Sequence, residues 1–369
     1  MKKRVCLMMA AVCLAVFGLA GNSGAALYRY QDRTPTGIPT GVTVYITSIN
    51  DAKQIVGYYS QNISGTYYYQ AFFWDPVKGP TLLQSLGTNT NSYAYGINKQ
   101  GQIVGQSVNI MGFSHACLWS NPSQFPTDLN GTDGDPNSSC AYAINDNGLM
   151  VGFYGGYSST PKHAYKWTGP MPIGGTDLGT LGGSTSSATG VNNAGQIAGW
   201  ANNVQGHPRN CLWNAGQLTP QDLSASLADN IYSYTCYINN QGNVVGNGML
   251  GLGFGNAFYW DHQTQAVVQN IATQLYDSWP GGISDSNQVV GSGEVMGFPG
   301  IPPFVFWNPT NGTQNLNKLV VNLPQGVTIT SLSAISPKGY IVGFDSQGHA
   351  CLLTPVVASP AAVDLLLLD

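Results

Sequence analysis

Seven copies of one sequence pattern, each about 47 residues long, fill most of this chain. Each copy begins with an Ile-Asn pair or a close equivalent and continues through a short spacer to an apolar pair and a glycine. These closing glycines are Gly57, Gly105, Gly152, Gly199, Gly246, Gly291 and Gly343. The second half of the copy ends in Trp74, Trp119, Trp167, Trp213, Trp260 or Trp307, and in Leu353 in the last copy. A repeat of this period indicates one structural unit per copy.

Each copy contains four short segments with the composition of β-strands. In the second copy these are residues 93–98, 102–107, 115–119 and 127–129. The first two segments are joined by Asn98-Lys99-Gln100-Gly101, and glycine at the last position accepts the positive φ of a tight turn. The first copy has Lys53 at that position, so we expect backbone strain there.

The order of the segments predicts a closed ring. A fourth segment follows six of the seven copies, whereas the last copy stops after its third segment, residues 350–353. The missing segment matches Gln31-Asp32-Arg33, upstream of the first copy. An N-terminal strand that completes the last blade leaves no open sheet edge, whereas a linear solenoid needs capping repeats. We therefore predict an all-β, seven-bladed β-propeller of four-stranded blades, with the ring closed by the N-terminal strand.

Composition supports this fold class and excludes several functions. Only 8% of the residues are charged and Glu294 is the single glutamate, whereas long amphipathic helices draw on Glu, Lys and Arg. The net charge of −4 and the lack of Lys/Arg clusters beyond residue 4 give no basis for nucleic-acid binding.

The N-terminus has the features of an export signal. Three basic residues, Lys2, Lys3 and Arg4, precede an apolar segment at 5–19 that is too short to span a bilayer. Small residues follow, and cleavage is expected after Ala20, Ala25 or Ala26. We predict a signal peptide at 1–26, a propeller at 27–355 and a C-terminal tail at 356–369, with no membrane span in the mature chain.

The third segment of several copies carries a His-Ala-Phe triplet or a variant of it. The copies that retain it are Gln70-Ala71-Phe72, His115-Ala116-Cys117, His163-Ala164-Tyr165 and His349-Ala350-Cys351. Together with the Ile-Asn, Ile-Val-Gly and Trp elements, this pattern resembles the HAF-repeat family of bacterial extracellular proteins over residues 27–355. The resemblance implies a secreted or periplasmic bacterial protein and supplies no activity. Many relatives end in a Pro-Glu-Pro sorting signal, which residues 356–369 lack, so surface anchoring by that route is not expected.

The cysteines outside the signal fall at repeated positions. Cys140 lies five residues before Asn145 and Cys236 three residues before Asn239, which predicts that both are on the same face of a first strand. The copy before each of them has a cysteine in its third segment, Cys117 and Cys211 respectively. This spacing predicts the disulfides Cys117–Cys140 and Cys211–Cys236, worth about 3 kcal/mol each, with Cys351 left over. The alternative is that all are small buried thiols in the core.

The connections at the rim opposite the Asn-x-x-Gly turns vary from copy to copy, and function is common on such loops. Aromatic rings there suit sugar stacking or protein docking, although they can also pack between blades. Trp279 lies outside the repeated Trp positions and is predicted to be in a connecting loop. The candidate ligand-binding residues are Tyr59, Tyr68, Tyr157, Trp200, Trp279 and Phe298.

Catalytic and metal-binding patterns are weak. The sequence has no Gly-x-Ser-x-Gly motif and no two-His metal spacing, and His115, His163 and His349 belong to the repeat and are predicted to be structural. The acidic stretch 133–137 lacks the sixth-position glycine of a calcium loop. We predict no catalytic residue, no metal and no other cofactor.

These features favour a monomeric, secreted, non-enzymatic binding module that engages a glycan or an extracellular protein. The alternative is a propeller enzyme acting on polysaccharide, a glycoside hydrolase or a lyase, which needs two carboxylates within roughly 5–10 Å of each other. Its candidate acids are Asp229, Asp277 and Glu294. A structural component of a surface layer is a third possibility.

Overall fold

A computed structural model describes residues 27–33, 38–88, 90–131, 133–156, 161–168, 175–223, 236–250, 254–272, 275–295 and 303–356. These residues form seven antiparallel four-stranded sheets, arranged as the blades of a β-propeller. Apart from a 3₁₀ turn at Leu316–Lys318, the regular structure in these ranges is β. The predicted signal peptide and the tail beyond residue 356 lie outside the described residues.

The strands are numbered in chain order and the blades in the order of the repeats. Blade 1 comprises β2 (Thr43–Ile49), β3 (Ile55–Ile63), β4 (Thr66–Asp75) and β5 (Gly79–Leu82), and blade 2 comprises β6 (Ser92–Ile97), β7 (Ile103–Val108), β8 (Ser114–Trp119) and β9 (Thr127–Asp128). Blade 3 comprises β10 (Ser138–Ile144), β11 (Leu149–Gly155), β12 (His163–Thr168) and β13 (Gly175–Asp177), and blade 4 comprises β14 (Gly182–Val191), β15 (Ile197–Asn203), β16 (Pro208–Trp213) and β17 (Gln221–Asp222).

The remaining three blades follow the same order. Blade 5 comprises β18 (Cys236–Ile238), β19 (Val244–Leu250), β20 (Phe254–Trp260) and β21 (Val267–Val268), and blade 6 comprises β22 (Asp277–Ile283), β23 (Val289–Glu294), β24 (Phe304–Asn308) and β25 (Gly312–Thr313). Blade 7 comprises β26 (Ile329–Ile335), β27 (Ile341–Asp345), β28 (Ala350–Val356) and the N-terminal β1 (Leu27–Asp32).

The last blade confirms the predicted ring closure. Strand β1 pairs antiparallel with β28, with Tyr30 opposite Leu353 and Asp32 opposite Cys351. The N-terminal strand therefore supplies the outer strand of a blade whose other three strands come from the C-terminal end of the propeller.

Seven hydrophobic clusters fill the seven spaces between neighbouring blades. The repeated tryptophans contribute to them from the third strands of blades 1 to 6, and Leu353 takes their place in blade 7. The indole N–H of Trp119 donates to the carbonyl of Gln84 at 2.8 Å, and that of Trp213 donates to the carbonyl of Leu178 at 2.7 Å. Each of these tryptophans thus ties its blade to the fourth strand of the preceding one.

A repeated serine adds a second tie between blades. Near the start of the inner strand, its hydroxyl accepts an N–H from the third strand of the preceding blade, as Ser139 does from Ala116 at 2.7 Å. The same bond is made by Ser92 to Ala71, Ser186 to Ala164 and Ser278 to Ala257. These serines are buried, so each bond satisfies two groups that water does not reach.

The repeated asparagines form a chain of hydrogen bonds around the propeller axis. The amide of Asn145 donates to the carbonyl of Asn192 at 2.8 Å, while its side-chain oxygen accepts the N–H groups of Asn147 and Leu149 in its own turn. Equivalent donations run from Asn50 to Asn98, Asn98 to Asn145, Asn192 to Asn239 and Asn239 to Ser284. The Asn of the repeat therefore shapes its own turn and binds the next blade.

The repeated histidines pair with the acids of the fourth strand. His115 Nδ1 lies 2.7 Å from Asp128 Oδ2, and His163 Nδ1 lies 2.7 Å from Asp177 Oδ2. In blade 4 Arg209 takes the histidine position and donates from Nε to Asp222 Oδ2 at 3.2 Å. The HAF histidines accordingly join the third strand of a blade to its outer strand.

The inner strands carry β-bulges, one of which explains the closing glycine. In blade 2 the register shifts between Ala94 and Gly96, which leaves Tyr95 as the extra residue. A Cβ on Gly105 would collide with the carbonyl oxygen of Tyr93 on the facing strand. Only glycine allows the second strand to approach the bulged strand this closely.

The structure contains neither predicted disulfide, since all five described cysteines are buried free thiols. The prediction that Cys140 and Cys236 lie on the same strand face was wrong, because blade 3 has a bulge between Ala141 and Ala143. Cys140 lies opposite Phe153, one position beyond the Ala141–Gly152 pair, whereas Cys236 lies directly opposite Gly246, the equivalent of Gly152. Neighbouring side chains on a strand point to opposite faces, so Cys140 and Cys236 face different sides.

The third-strand cysteines also point away from their predicted partners. Cys211 packs with Trp213 between blades 3 and 4, whereas Cys236 packs with Val244 between blades 4 and 5. The Cys236 thiol donates to Asn210 Oδ1 at 2.8 Å. Cys117 likewise belongs to the cluster between blades 1 and 2, on the far side of its blade from blade 3.

Candidate functional site

The two faces of the propeller carry different kinds of connection. Because the strands of each blade alternate in direction, all the Asn-containing turns between first and second strands lie on one face, the turn face. The connections between second and third strands lie on the opposite face, the loop face, together with those that lead into each inner strand. This arrangement confirms the two predicted rims.

A channel along the propeller axis opens toward the loop face. Its walls there enclose a cavity of about 420 Å³, the chamber, whose main lining residues are Thr47, Tyr95, Tyr142, Lys162, Trp200 and Tyr237. Nearer the turn face, the apolar residues that precede the ring of asparagines line a smaller cavity of about 110 Å³, among them Ile49, Ile97 and Ile144.

The inner-strand bulges supply much of the chamber lining. Tyr95 and Tyr142 are the extra residues of the bulges in blades 2 and 3, and Thr47 and Thr189 are those of blades 1 and 4. A bulge redirects the side chain of its extra residue, which here faces the channel. Blades 2, 3 and 5 present tyrosines to the chamber and blade 4 presents Trp200, while the bulge residues of blades 1 and 4 are the smaller threonines. The aromatic rings of the chamber therefore come from blades 2 to 5.

A continuous strip of aromatic rings leads from the exposed rim into the chamber. Neighbouring ring centroids are 4.8 to 6.2 Å apart, within the range of favourable stacked and edge-on contacts. The rings of this aromatic strip are, in order, Tyr45, Tyr58, Tyr93, Tyr95, Tyr142 and Phe153. Tyr45 is exposed and Phe153 is buried, so the strip runs from solvent to the interior of the propeller.

A lysine lies at the inner end of the aromatic strip. Lys162 Nζ is 3.5 Å from the centroid of the Phe153 ring, and the side chain is half-buried in the chamber wall. Burial lowers the pKa of this ammonium group below its usual value. No carboxylate among the described residues makes an ion pair with it.

The tyrosines of the chamber stay protonated over the physiological pH range. Burial, with a smaller contribution from Tyr69 and Tyr58, raises the pKa of Tyr93 to about 12. Burial also raises the pKa of Tyr95 and Tyr142. Their hydroxyl groups are therefore neutral and able both to donate and to accept hydrogen bonds.

The structure separates the predicted ligand-binding residues. Trp200 lines the chamber and Tyr68 is 47% exposed near the tip of the β3–β4 hairpin, so both lie on the loop face. Tyr59 is buried, because alternate residues of β3 point to opposite faces and its neighbour Tyr58 is the one that joins the aromatic strip. Tyr157 and Phe298 lie outside the described residues.

Trp279 is on a strand and not in a connecting loop. It belongs to β22, the inner strand of blade 6, where it lies opposite Ser292. The indole is 37% exposed, consistent with its prediction as an accessible ring. The tryptophan was misplaced because the start of an inner strand carries no marker in the repeat, whose first recognisable residues come several positions later.

Two of the acids proposed for an enzyme, Asp277 and Glu294, do not line the chamber. Asp277 and Glu294 face each other across β22 and β23, and Asp277 accepts the backbone N–H groups of Gly255 at 2.7 Å and Ser278 at 3.0 Å. Asp229 lies outside the described residues. The chamber wall formed by described residues includes no carboxylate.

The described ranges contain neither a metal-binding cluster nor a membrane-spanning helix. The residues in these ranges contain no cluster of three or more His, Cys, Asp or Glu that could hold a metal ion. In the acidic stretch 133–137, the carboxylate of Asp135 accepts bonds from Asn137 and Tyr154. Within the same ranges, no helix has the length and apolarity needed to cross a membrane.

No family model matches the sequence, and no curated protein matches it. Similar solved structures include TolB from Acinetobacter baumannii (11% identity, 83% of this chain and 65% of that chain, TM-score 0.47) and YCF48 bound to a D1 peptide (10%, 91% and 98%, 0.47). A third is the six-bladed propeller lectin of Aleuria aurantia (12%, 77% and 96%, 0.41). The chain thus spans 65% of the length of the TolB chain. By its own seven sheets, this chain is a seven-bladed β-propeller.

Proposed function

We propose that this protein is an exported, non-enzymatic carbohydrate-binding propeller that holds a sugar in the chamber on its loop face. The observation that carries the proposal is the aromatic strip, which leads without interruption from the exposed Tyr45 to the chamber wall at Tyr142. Sugars present apolar C–H faces and a rim of hydroxyl groups, and a tyrosine-lined channel can bind both.

The size and lining of the chamber suit a small ligand. Ligand pockets usually enclose about 300–1,000 Å³ and combine aromatic walls with a few polar groups. The chamber, at about 420 Å³, has Tyr95, Tyr142, Trp200 and Tyr237 as aromatic walls and Thr, Ser and Lys side chains as polar groups. Because the tyrosines come from three different blades, a bound sugar ring would contact several of them at once.

A protein partner is the second candidate, supported by a separate observation. The hairpins of blades 1 and 2 expose large apolar side chains at the loop face, with Ile63 at 50%, Tyr67 at 57% and Ile110 at 68%. Exposed apolar groups of this kind often mark protein contacts. The polysaccharide-enzyme alternative has less support, since the described chamber wall lacks a carboxylate.

A glycan-array screen of the mature protein tests the proposal. Wild type is compared with Tyr95→Leu, which removes a ring from the chamber wall, and with Tyr68→Ala, a matched control on the exposed hairpin. We expect wild type and Tyr68→Ala to bind the same glycans, and Tyr95→Leu to lose most of the signal.

Two outcomes contradict the carbohydrate proposal. A blank array for correctly folded wild type would favour the protein partner. Glycan signals that disappear in Tyr68→Ala but persist in Tyr95→Leu would move the ligand from the chamber to the blade 1 hairpin.

A further inference from the structure

Given the proposed function of the chamber as a carbohydrate site, we propose that its ligand is an acidic glycan whose carboxylate is bound by Lys162. Uronate- and sialate-containing oligosaccharides share this chemistry, namely a sugar ring for the tyrosines and a carboxylate for the ammonium group.

Lys162 occupies a position at which the other described blades have no cationic residue. It directly precedes β12, at the loop-face end of the third strand of blade 3. The equivalent residues of other blades are Tyr69, Ser114, Pro208, Gly255 and Gly348. The repeat therefore does not require a cation here, and the blade-to-blade bonds described above use none.

The surroundings of Lys162 leave its charge only partly compensated. Removing an ammonium group from water is unfavourable unless it is paired, and the lowered pKa reflects that burial. The Phe153 ring, 3.5 Å from Nζ, offers a cation–π contact, which replaces part of the lost hydration. An anion in the chamber would supply the partner that the described residues do not.

The rest of the chamber favours a sugar acid over an inorganic anion. Tyr142 is in contact with both Tyr95 and Phe153, and Phe153 is the ring that lies against the Lys162 ammonium group. A ligand that pairs with Lys162 is therefore held against aromatic faces, which bind C–H groups and give nothing to a bare phosphate or sulfate. The described chamber wall has no carboxylate to repel the ligand.

Matched pairs of oligosaccharides test this inference by calorimetry. The panel contains galacturonate, glucuronate and sialate oligosaccharides, each as the free acid and as its methyl ester, which keeps the shape and removes the charge. We expect mature wild type to bind at least one free acid about tenfold more tightly than its ester, the effect of one charge-assisted hydrogen bond. Lys162→Met should abolish this preference, and Lys162→Arg should keep most of it.

The outcomes separate this inference from the proposed function. Equal affinities for acid and ester in wild type would overturn the role of charge and leave the chamber as a site for neutral sugars. A preference for the acid that persists in Lys162→Met would place the carboxylate elsewhere. Failure of wild type to bind either member of any pair, on this panel and on the glycan array, would overturn both proposals. The acid–ester comparison in wild type needs no folded variant.

Discussion

The turn face and the loop face are built from the same repeat, but the turn face keeps the same residues from blade to blade whereas the loop face varies. At the turn face, Asn145 and its counterparts make the same amide-to-carbonyl bond from blade to blade. At the loop face, the equivalent bulge residue is threonine in blades 1 and 4 and tyrosine in blades 2 and 3. The comparison teaches that repeated residues hold the ring together, whereas departures from the repeat shape the chamber.

The bulge explains how one position can vary without harm to the ring. Its side chain points into the channel and not into the clusters between blades, so tyrosine and threonine can replace each other there. The closing glycine opposite the bulge cannot vary in this way, because a Cβ would collide with a backbone carbonyl. The repeat therefore requires glycine at the closing position, whereas it tolerates different residue types at the bulge, whose side chain faces the channel.

The strongest test of the comparison removes one asparagine from the turn face. Asn145→Ala loses three hydrogen bonds from a buried side chain and leaves the carbonyl of Asn192 with the Gly195 N–H as its remaining donor. At about 1 kcal/mol per bond, we expect the free energy of unfolding in urea to fall by about 3 kcal/mol. Tyr68→Ala, on the exposed hairpin, should change it by about 0.5 kcal/mol or less. Equal effects of the two substitutions would break the distinction between the faces.

A second test concerns binding and not stability. Tyr93→Leu removes the ring that contacts Tyr58, Tyr69 and Tyr95 in the aromatic strip. Loss of one stacking ring costs about 1 kcal/mol, so we expect roughly fivefold weaker binding of the tightest oligosaccharide by calorimetry. Tyr93→Phe keeps the ring and should bind like wild type. If both variants bind like wild type, the strip does not guide the ligand.

A third test uses the pH dependence of the His115–Asp128 contact, which joins the third strand of blade 2 to its outer strand. Burial opposes the charge of His115, but its contacts with Asp128 Oδ2 and the Asp135 carbonyl raise its pKa above 6.5. A raised folded-state pKa stabilises the protein below about pH 6.5, and this contribution is lost as pH rises through the folded value. Unfolding measured across this range should therefore show that Asp128→Asn destabilises the protein more at low pH than at high pH. A constant difference would contradict the assignment.

The smallest expected effect sharpens the account of the turns. Lys53 has φ of 63° at the position where Gly148 has φ of 79°. Lys53→Gly should relieve the strain and raise the melting temperature slightly, because the lost contact between Lys53 Nζ and the Tyr340 ring offsets part of the gain. Gly148→Ala, where a Cβ meets nothing within 4 Å, should cost about 1 kcal/mol through φ alone. Unchanged stability in both variants would show that these turns tolerate any residue.

The sequence predicts the fold well because the ring is built from local, repeated contacts. The spacing of Asn, Gly and Trp predicts the number of blades, the closure of the ring by the N-terminal strand and the positive φ at Lys53. Spacing fails where a bulge adds one residue, since this reverses which face a side chain occupies, as at Cys140. The third-strand cysteines Cys117 and Cys211 also face away from the next blade, so neither predicted disulfide forms.

The chamber was harder to predict, because its residues meet only when the ring closes. Tyr95, Tyr142 and Lys162 come from different strands of two blades, and nothing local marks them as neighbours. The one available signal was that they differ from residues at equivalent positions of other copies, such as Thr47 and Thr189 for the two tyrosines and Gly255 and Gly348 for the lysine. Of the residues predicted for the variable rim, Trp200 lies on β15 and lines the chamber, whereas Tyr59 is buried.

The most direct measurement is a crystal structure of the mature protein with the oligosaccharide that binds most tightly in the array. We expect density for a sugar ring in the chamber against Tyr95 and Tyr142, with an acidic group at Lys162. Density on the turn face or on the outer strands, with the chamber filled only by water, would contradict the division between a structural face and a binding face.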